Sequence, residues 1–137
     1  MTKITVETTV SANLNKTWDY WTKPEHITHW NFASDDWQCP RAENDARTGG
    51  KFSARMEAKD GSFGFDFEGI YDEVIEQKRI AYHMEDGRQV EILFEELGDQ
   101  TKVTEMFDPE TENSEEMQRG GWQAILDNFK KHVEGNN

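Results

Sequence analysis

From Lys51 to Phe107 apolar side chains fall on every second residue, and only short turn sequences interrupt them. Phe52, Ala54, Met56 and Ala58 alternate over Lys51–Lys59, and Phe63, Phe65, Phe67, Gly69 and Tyr71 over Ser62–Glu73. Arg79–Glu85 and Arg88–Glu96 follow, the second with Val90, Ile92 and Phe94 on one face, and Thr101–Phe107 closes the run. A period of two is that of a strand with one face buried. Asp60-Gly61 and Asp86-Gly87 are hairpin signals of the type I′ kind, and Gly98-Asp99 turns the chain into the last strand. Strands joined this tightly are antiparallel, and a sheet with one apolar face needs a second layer to cover it.

The C-terminus supplies that layer. Asn113 is expected to cap a helix from Ser114 to about Glu134, with Glu116 placed as in a capping box and Gly135 as the stop. Met117, Gly121, Ile125, Phe129 and Val133 recur every four residues, widened by Trp122, Ala124 and Leu126. Upstream, Ile4, Val6, Thr8 and Val10 share one face of a first strand, Thr2–Ser11. Asn15 is expected to cap a short helix through Trp21, and Pro24 to open a second through Trp30. Residues 31–50 have no clear period and read as an ordered loop with one short strand at most, while Asp108–Asn113 reads as a linker. Nothing alternates strand with helix, which excludes parallel-sheet architectures. The expectation is an α+β chain in which a curved antiparallel sheet of about six or seven strands surrounds a long C-terminal helix. Two short helices follow the first strand, and residues 1–137 form a single domain.

Charge narrows the partners. Net charge is −13, which repels phosphate backbones and anionic lipid surfaces, so nucleic acid is excluded as the main partner. No apolar run approaches the roughly 20 residues of a membrane span, so stable membrane insertion is not expected. Met1–Val10 alternates instead of forming a signal-peptide block, and Cys39 has no second cysteine to pair with. Both point to a cytoplasmic protein. Five Trp and eight Phe are many for so acidic a chain, and rings of that size fill cores and line ligand cavities.

Several segments carry a family resemblance. They begin with Trp18-Asp19-Tyr20-Trp21-Thr22, Pro24-Glu25-His26-Ile27 and His29-Trp30-Asn31. Gly49-Gly50-Lys51-Phe52, Phe67-Glu68-Gly69-Ile70-Tyr71 and Glu73-Val74 follow on the strands. Thr101-Lys102-Val103-Thr104, Gly121-Trp122 and Leu126 complete the set, which spans about nine-tenths of the chain. The pattern resembles the helix-grip fold of the START / Bet v 1-like superfamily, in the branch named after the activator of the heat-shock-protein-90 ATPase. The resemblance implies a fold shared by lipid-transfer domains, hormone-binding proteins, polyketide cyclases, aromatases and a co-chaperone domain. It does not by itself select among those functions.

The residues offer candidates for each. Thr101, Val103, Glu105 and Phe107 share the better core face of the last strand, and Glu105 is the carboxylate among them. A carboxyl facing an apolar interior is costly unless paired or protonated, which suits a general acid or base or an anchor for a polar ligand group. The opposite facing would leave it in water. The expected cavity lining is Trp30, Phe32, Trp37, Met56, Phe65, Phe67, Tyr71, Phe94, Val103, Glu105, Trp122 and Phe129. His26, His29, Asp35, Asp36 and Cys39 have ligand chemistry but not the spacing of a zinc motif, so no metal is expected. Cys39 lacks the flanking groups that activate a thiol. Gly120-Gly121 allow either close helix–sheet packing or an opening between the two. The leading reading is a binding protein for an apolar or amphipathic small molecule, without a cofactor. The alternatives are a cyclase- or dehydratase-like enzyme using Glu105 and a co-chaperone-like interaction module, with a homodimer and a chaperone contact as further partner options.

Overall fold

The computed structural model describes residues 3–135. Met1, Thr2, Asn136 and Asn137 lie outside them, and with them the expected Thr2 start of the first strand. The elements in chain order are β1 (Ile4–Val10), α1 (Leu14–Thr22), α2 (Pro24–Ile27), β2 (Trp37–Gln38), β3 (Ala42–Asn44), β4 (Lys51–Ala58), β5 (Gly64–Ile75), β6 (Arg79–His83), β7 (Gln89–Leu97), β8 (Gln100–Phe107) and α3 (Glu115–Gly135). One antiparallel sheet runs in the order β1-β8-β7-β6-β5-β4-β2, with β3 also paired to β4. This is the helix-grip arrangement. Six strands are long, as their alternation demanded. β2 and β3 are short additions from the segment expected to hold one strand at most, since two or three residues show no readable period.

Turns and caps differ from expectation in instructive ways. At Asp60-Gly61 and Asp86-Gly87 only the glycines have positive φ, +80° and +91°. A type I′ turn needs both central residues left-handed, so neither turn is of that type. Each aspartate instead bends its carboxylate back onto the chain: Ser62 N donates to Asp60 Oδ1 and Arg88 N to Asp86 Oδ1. Asn13, not Asn15, caps α1, accepting from Lys16 N at 2.8 Å. α2 stops at Ile27 rather than Trp30. Ser114, not Asn113, caps α3, with Met117 N donating to its Oγ at 3.1 Å.

The buried face of α3 is also displaced. Met117 is 65% exposed, and a Cβ at Gly120 or Gly121 would meet nothing within 4 Å. The face that packs inward is Gln118, Trp122, Ile125, Leu126, Phe129 and Val133. Gln118 is buried because it latches the linker: Glu110 N donates to its Oε1, and its Nε2 donates to the carbonyls of Glu110 and Asn113. At the start of the helix Gln118 thus takes the inward position and Met117 faces out.

α3 lies closest to β1, tied to it where Gln123 Nε2 donates to Glu7 O and Ser11 N to Glu134 Oε2. Its side chains bridge the remaining distance to the sheet. Leu126, Phe129 and Val133 are fully buried with Val10 and Val103, and this end of the molecule is solid. The outer sheet face is solvated and carries cross-strand ion pairs, such as Arg55 with Asp66 and Arg79 with Glu73 and Glu91. No described helix is long and apolar enough to cross a membrane.

Candidate ligand cavity

The other end of the grip is hollow. A cavity of about 210 Å³ lies between the sheet, the α1–α2 segment and the middle of α3. Its floor is the inward row of the sheet: Ala54 and Met56 on β4, Tyr71 on β5, Ile80 and Tyr82 on β6, Ile92 on β7 and Glu105 on β8. Trp21, Ile27, Trp30 and Asn31 form one wall, and Trp122 with Ile125 forms the roof. Phe52, Phe65 and Phe67 continue the aromatic surface outward, and Glu43, Asn44 and Ser53 stand on β3 and β4 at the same side.

The aromatic lining is braced by its own contacts. Trp122 stacks on Phe107 with ring centres 4.0 Å apart and planes 9° from parallel, and presents its edge to Phe67. Trp30 anchors its indole N–H on Tyr20 O at 3.0 Å. Asn44 donates to Thr22 O and accepts from the Tyr71 hydroxyl, joining β3 to α1 and β5. These polar groups are therefore satisfied within the protein. Burial pushes the phenol pKa of both Tyr71 and Tyr82 up and keeps them protonated, and for Tyr82 the nearby Glu105 adds to it.

Glu105 is the exception. The β8 alternation buries Thr101, Val103, Glu105 and Phe107 together, and Glu105 is only 6% exposed. Its strand neighbours are Val6 on β1 and Ile92 on β7, both apolar and buried. Among the described residues none hydrogen-bonds or ion-pairs with its carboxyl, and burial alone pushes its pKa up to about 8. At neutral pH it is largely a neutral acid on the cavity floor, able to donate a hydrogen bond into it.

Of the residues expected to line the cavity, Trp30, Met56, Phe65, Phe67, Tyr71, Glu105 and Trp122 do so. Phe94, Val103 and Phe129 do not. They sit in the solid end, where Phe94 meets Trp18 and Trp21 edge-on and Phe129 meets Trp21 and Trp30. Phe32 and Trp37 do not either: Phe32 offers its carbonyl to Asn128, and Trp37 packs beside Phe63 and Phe65 at the β4–β5 hairpin. The sequence reading omitted Trp21, Phe52, Ala54, Ile80, Tyr82, Ile92 and Ile125. The alternation was the signal available for Phe52, Ala54 and Ile92, since each shares a face with a residue that was chosen.

The remaining candidates are not part of this site. His26 Nδ1 lies 3.1 Å from His132 Nε2, and His29 stacks on His132, but Asp35, Asp36 and Cys39 do not join them. Among the described residues no group of three or more His, Cys, Asp or Glu is placed to hold a metal. Cys39 is buried and its thiol is pushed up to about 11 by that burial, which keeps it protonated and unreactive.

Comparison with known proteins agrees with this architecture. The family model described as activator of Hsp90 ATPase homolog 1-like protein matches residues 11–134. The solution structure of an AHSA1-like protein from Aeromonas hydrophila superposes with a TM-score of 0.91 at 41% identity, covering 97% of this chain and 92% of that one. A protein from Cytophaga hutchinsonii is 51% identical with a TM-score of 0.84, covering 98% and 93% of the two chains. A protein from Nitrosomonas europaea shares the fold at 19% identity, with a TM-score of 0.85 over 99% and 96% of the chains. No curated protein matches the chain. The chain belongs to the activator of Hsp90 ATPase homolog 1-like family, within the START / Bet v 1-like superfamily.

Proposed function

We propose that this protein binds an apolar or amphipathic small molecule in the cavity between α3 and the sheet. The observation that carries the reading is the hollow itself, walled by aromatic rings and floored by one buried, unpartnered carboxyl. The volume is smaller than the roughly 300 Å³ of a drug-sized pocket. It exceeds the roughly 150 Å³ that suffices for benzene in an apolar interior, so a ligand with one aromatic ring fits. Proteins of this fold commonly hold small apolar ligands, which favours the same reading.

Trp21, Trp30 and Trp122 line the cavity, so occupancy is read from tryptophan emission. Benzyl alcohol titrated into the wild type should change that emission saturably, and Ala54→Leu, which fills part of the floor, should abolish the change. An emission unaffected by the alcohol, or unaffected by the filling, removes the reading.

A second reading, an enzyme of the cyclase or dehydratase type, draws on the same carboxyl. A group poised at about 8 suits proton transfer near neutral pH. Its weakness is the want of a second such group: Tyr71 and Tyr82 are both raised, and Glu43 is exposed at the mouth. A third reading, a protein-interaction module, draws on the exposed Phe63 and Phe65 beside the half-buried Trp37. Phe65 also lines the cavity, so this corner is better read as its rim.

A further inference from the structure

We propose that the ligand is a small organic cation, an amine whose ammonium group seats against the Glu105 carboxyl while its apolar part lies among the cavity rings. This deepens the preceding reading and rests on the cavity being a ligand site.

Four observations lead there. The first is that Glu105 has no hydrogen-bond or ion-pair partner among the described residues, and its neighbours on β1 and β7 offer only apolar surface. A neutral ligand would be served equally by Gln, Ser or Thr, whose burial costs less than that of a carboxyl. What a carboxyl adds is the capacity to become negative. The second is the lining. Among the described residues no Lys, Arg or His lines the cavity, so an anionic ligand would find no counter-charge in the lining. The third is the rings. Their faces carry the negative lobe of the aromatic quadrupole, and cations bind to Trp and Tyr faces more strongly as water is excluded. The fourth is the field outside. The chain carries −13, and Glu43 stands exposed at the mouth, which concentrates cations at the entrance and repels anions.

Proton balance fixes a signature. Burial holds the Glu105 carboxyl at about 8, so near neutral pH it enters the complex protonated. When the ammonium arrives the carboxyl proton leaves to water, and the ammonium keeps its own protons. The other titratable groups facing the cavity are Tyr82 on β6, Tyr71 on β5 and Glu43 on β3. Both tyrosines are raised, so neither releases a proton before Glu105 does. Amine affinity should therefore climb about tenfold per pH unit from pH 6 towards pH 8 and level off above it.

The test compares benzylamine with benzyl alcohol, alike in size and unlike in charge, on the full chain by calorimetry. At about pH 8 the amine should bind at least tenfold more tightly than the alcohol. Near neutrality it should release about one proton per amine bound, read from heats in two buffers of different ionisation enthalpy. Glu105→Gln should lose the preference for the amine over the alcohol. Alcohol that binds as tightly as the amine at every pH, or amine binding without proton release, overturns the proposal and leaves the cavity reading standing. Neither probe binding overturns both. The wild-type pH series decides the matter even where the variant fails to fold.

Discussion

Replacing Glu105 with Gln removes one titrating group and changes the shape of the cavity floor very little. In the unfolded chain this carboxyl ionises near its ordinary value of 4.5, and in the folded chain near 8. Between those values the folded protein holds a proton that the unfolded chain has released, so each rise in pH favours unfolding. The effect is absent below about pH 4.5 and complete above about pH 8. At about 1.4 kcal/mol per pH unit, the wild type should lose on the order of 3 kcal/mol by pH 7 and 5 kcal/mol by pH 9, relative to acid conditions. The variant carries no such dependence at this position. The chain holds 28 Asp and Glu residues whose own titration moves the stability of both proteins, so the informative quantity is the difference between the two. Urea unfolding at pH 5, 7 and 9, analysed with the linear dependence on denaturant, measures it. The two proteins should be within about 1 kcal/mol of each other at pH 5, and the variant should gain steadily to pH 9. A difference that stays constant from pH 5 to pH 9 refutes the reasoning, because it requires a carboxyl that ionises as if in water.

Trp122→Ala should cost about 3 kcal/mol in urea unfolding, since it removes the ring stacked on Phe107, and should also weaken benzyl alcohol binding. A stability loss with unchanged affinity would make Trp122 a packing residue only. Gly121→Ala should raise stability by about 0.5–1 kcal/mol, because the added methyl meets open space and the helix gains propensity. A loss measured by the same unfolding would show that the helix approaches something at this position. Treatment with EDTA should leave the melting temperature unchanged, and a fall of several degrees reversed by zinc would contradict that expectation.

Much of the fold was written locally. Alternation along β1, β4, β7 and β8 named most of the inward residues, because a strand's side chains point to opposite faces whatever surrounds it. It placed Glu105 on the buried side of β8 beside Val103 and Phe107, where it lies at 6% exposure. The strand-rich middle and the helical C-terminus excluded a parallel sheet without reference to any contact. The helix was less well determined. A stripe at every fourth residue leaves a rotation of one position open, and in the fold the Gln118 and Trp122 side faces inward in place of the Met117 and Gly121 side.

The site depended on tertiary structure for a different reason. Alternation says which face of a strand is inside but not which end of the grip is filled. Val103 and Glu105 are two residues apart on the same face, yet Val103 meets solid core and Glu105 meets the cavity. The same division separates Phe94 from Ile92 on β7. It is set by where α1 and α3 lean across the sheet: Trp18, Phe94 and Phe129 fill one end with rings, and Trp122 holds the roof off the other. The sequence favoured the face of β8 that buries a carboxyl. Only the packing of two helices against a curved sheet decided that it would be buried beside a void, because a void is a property of distances between segments that no local pattern encodes.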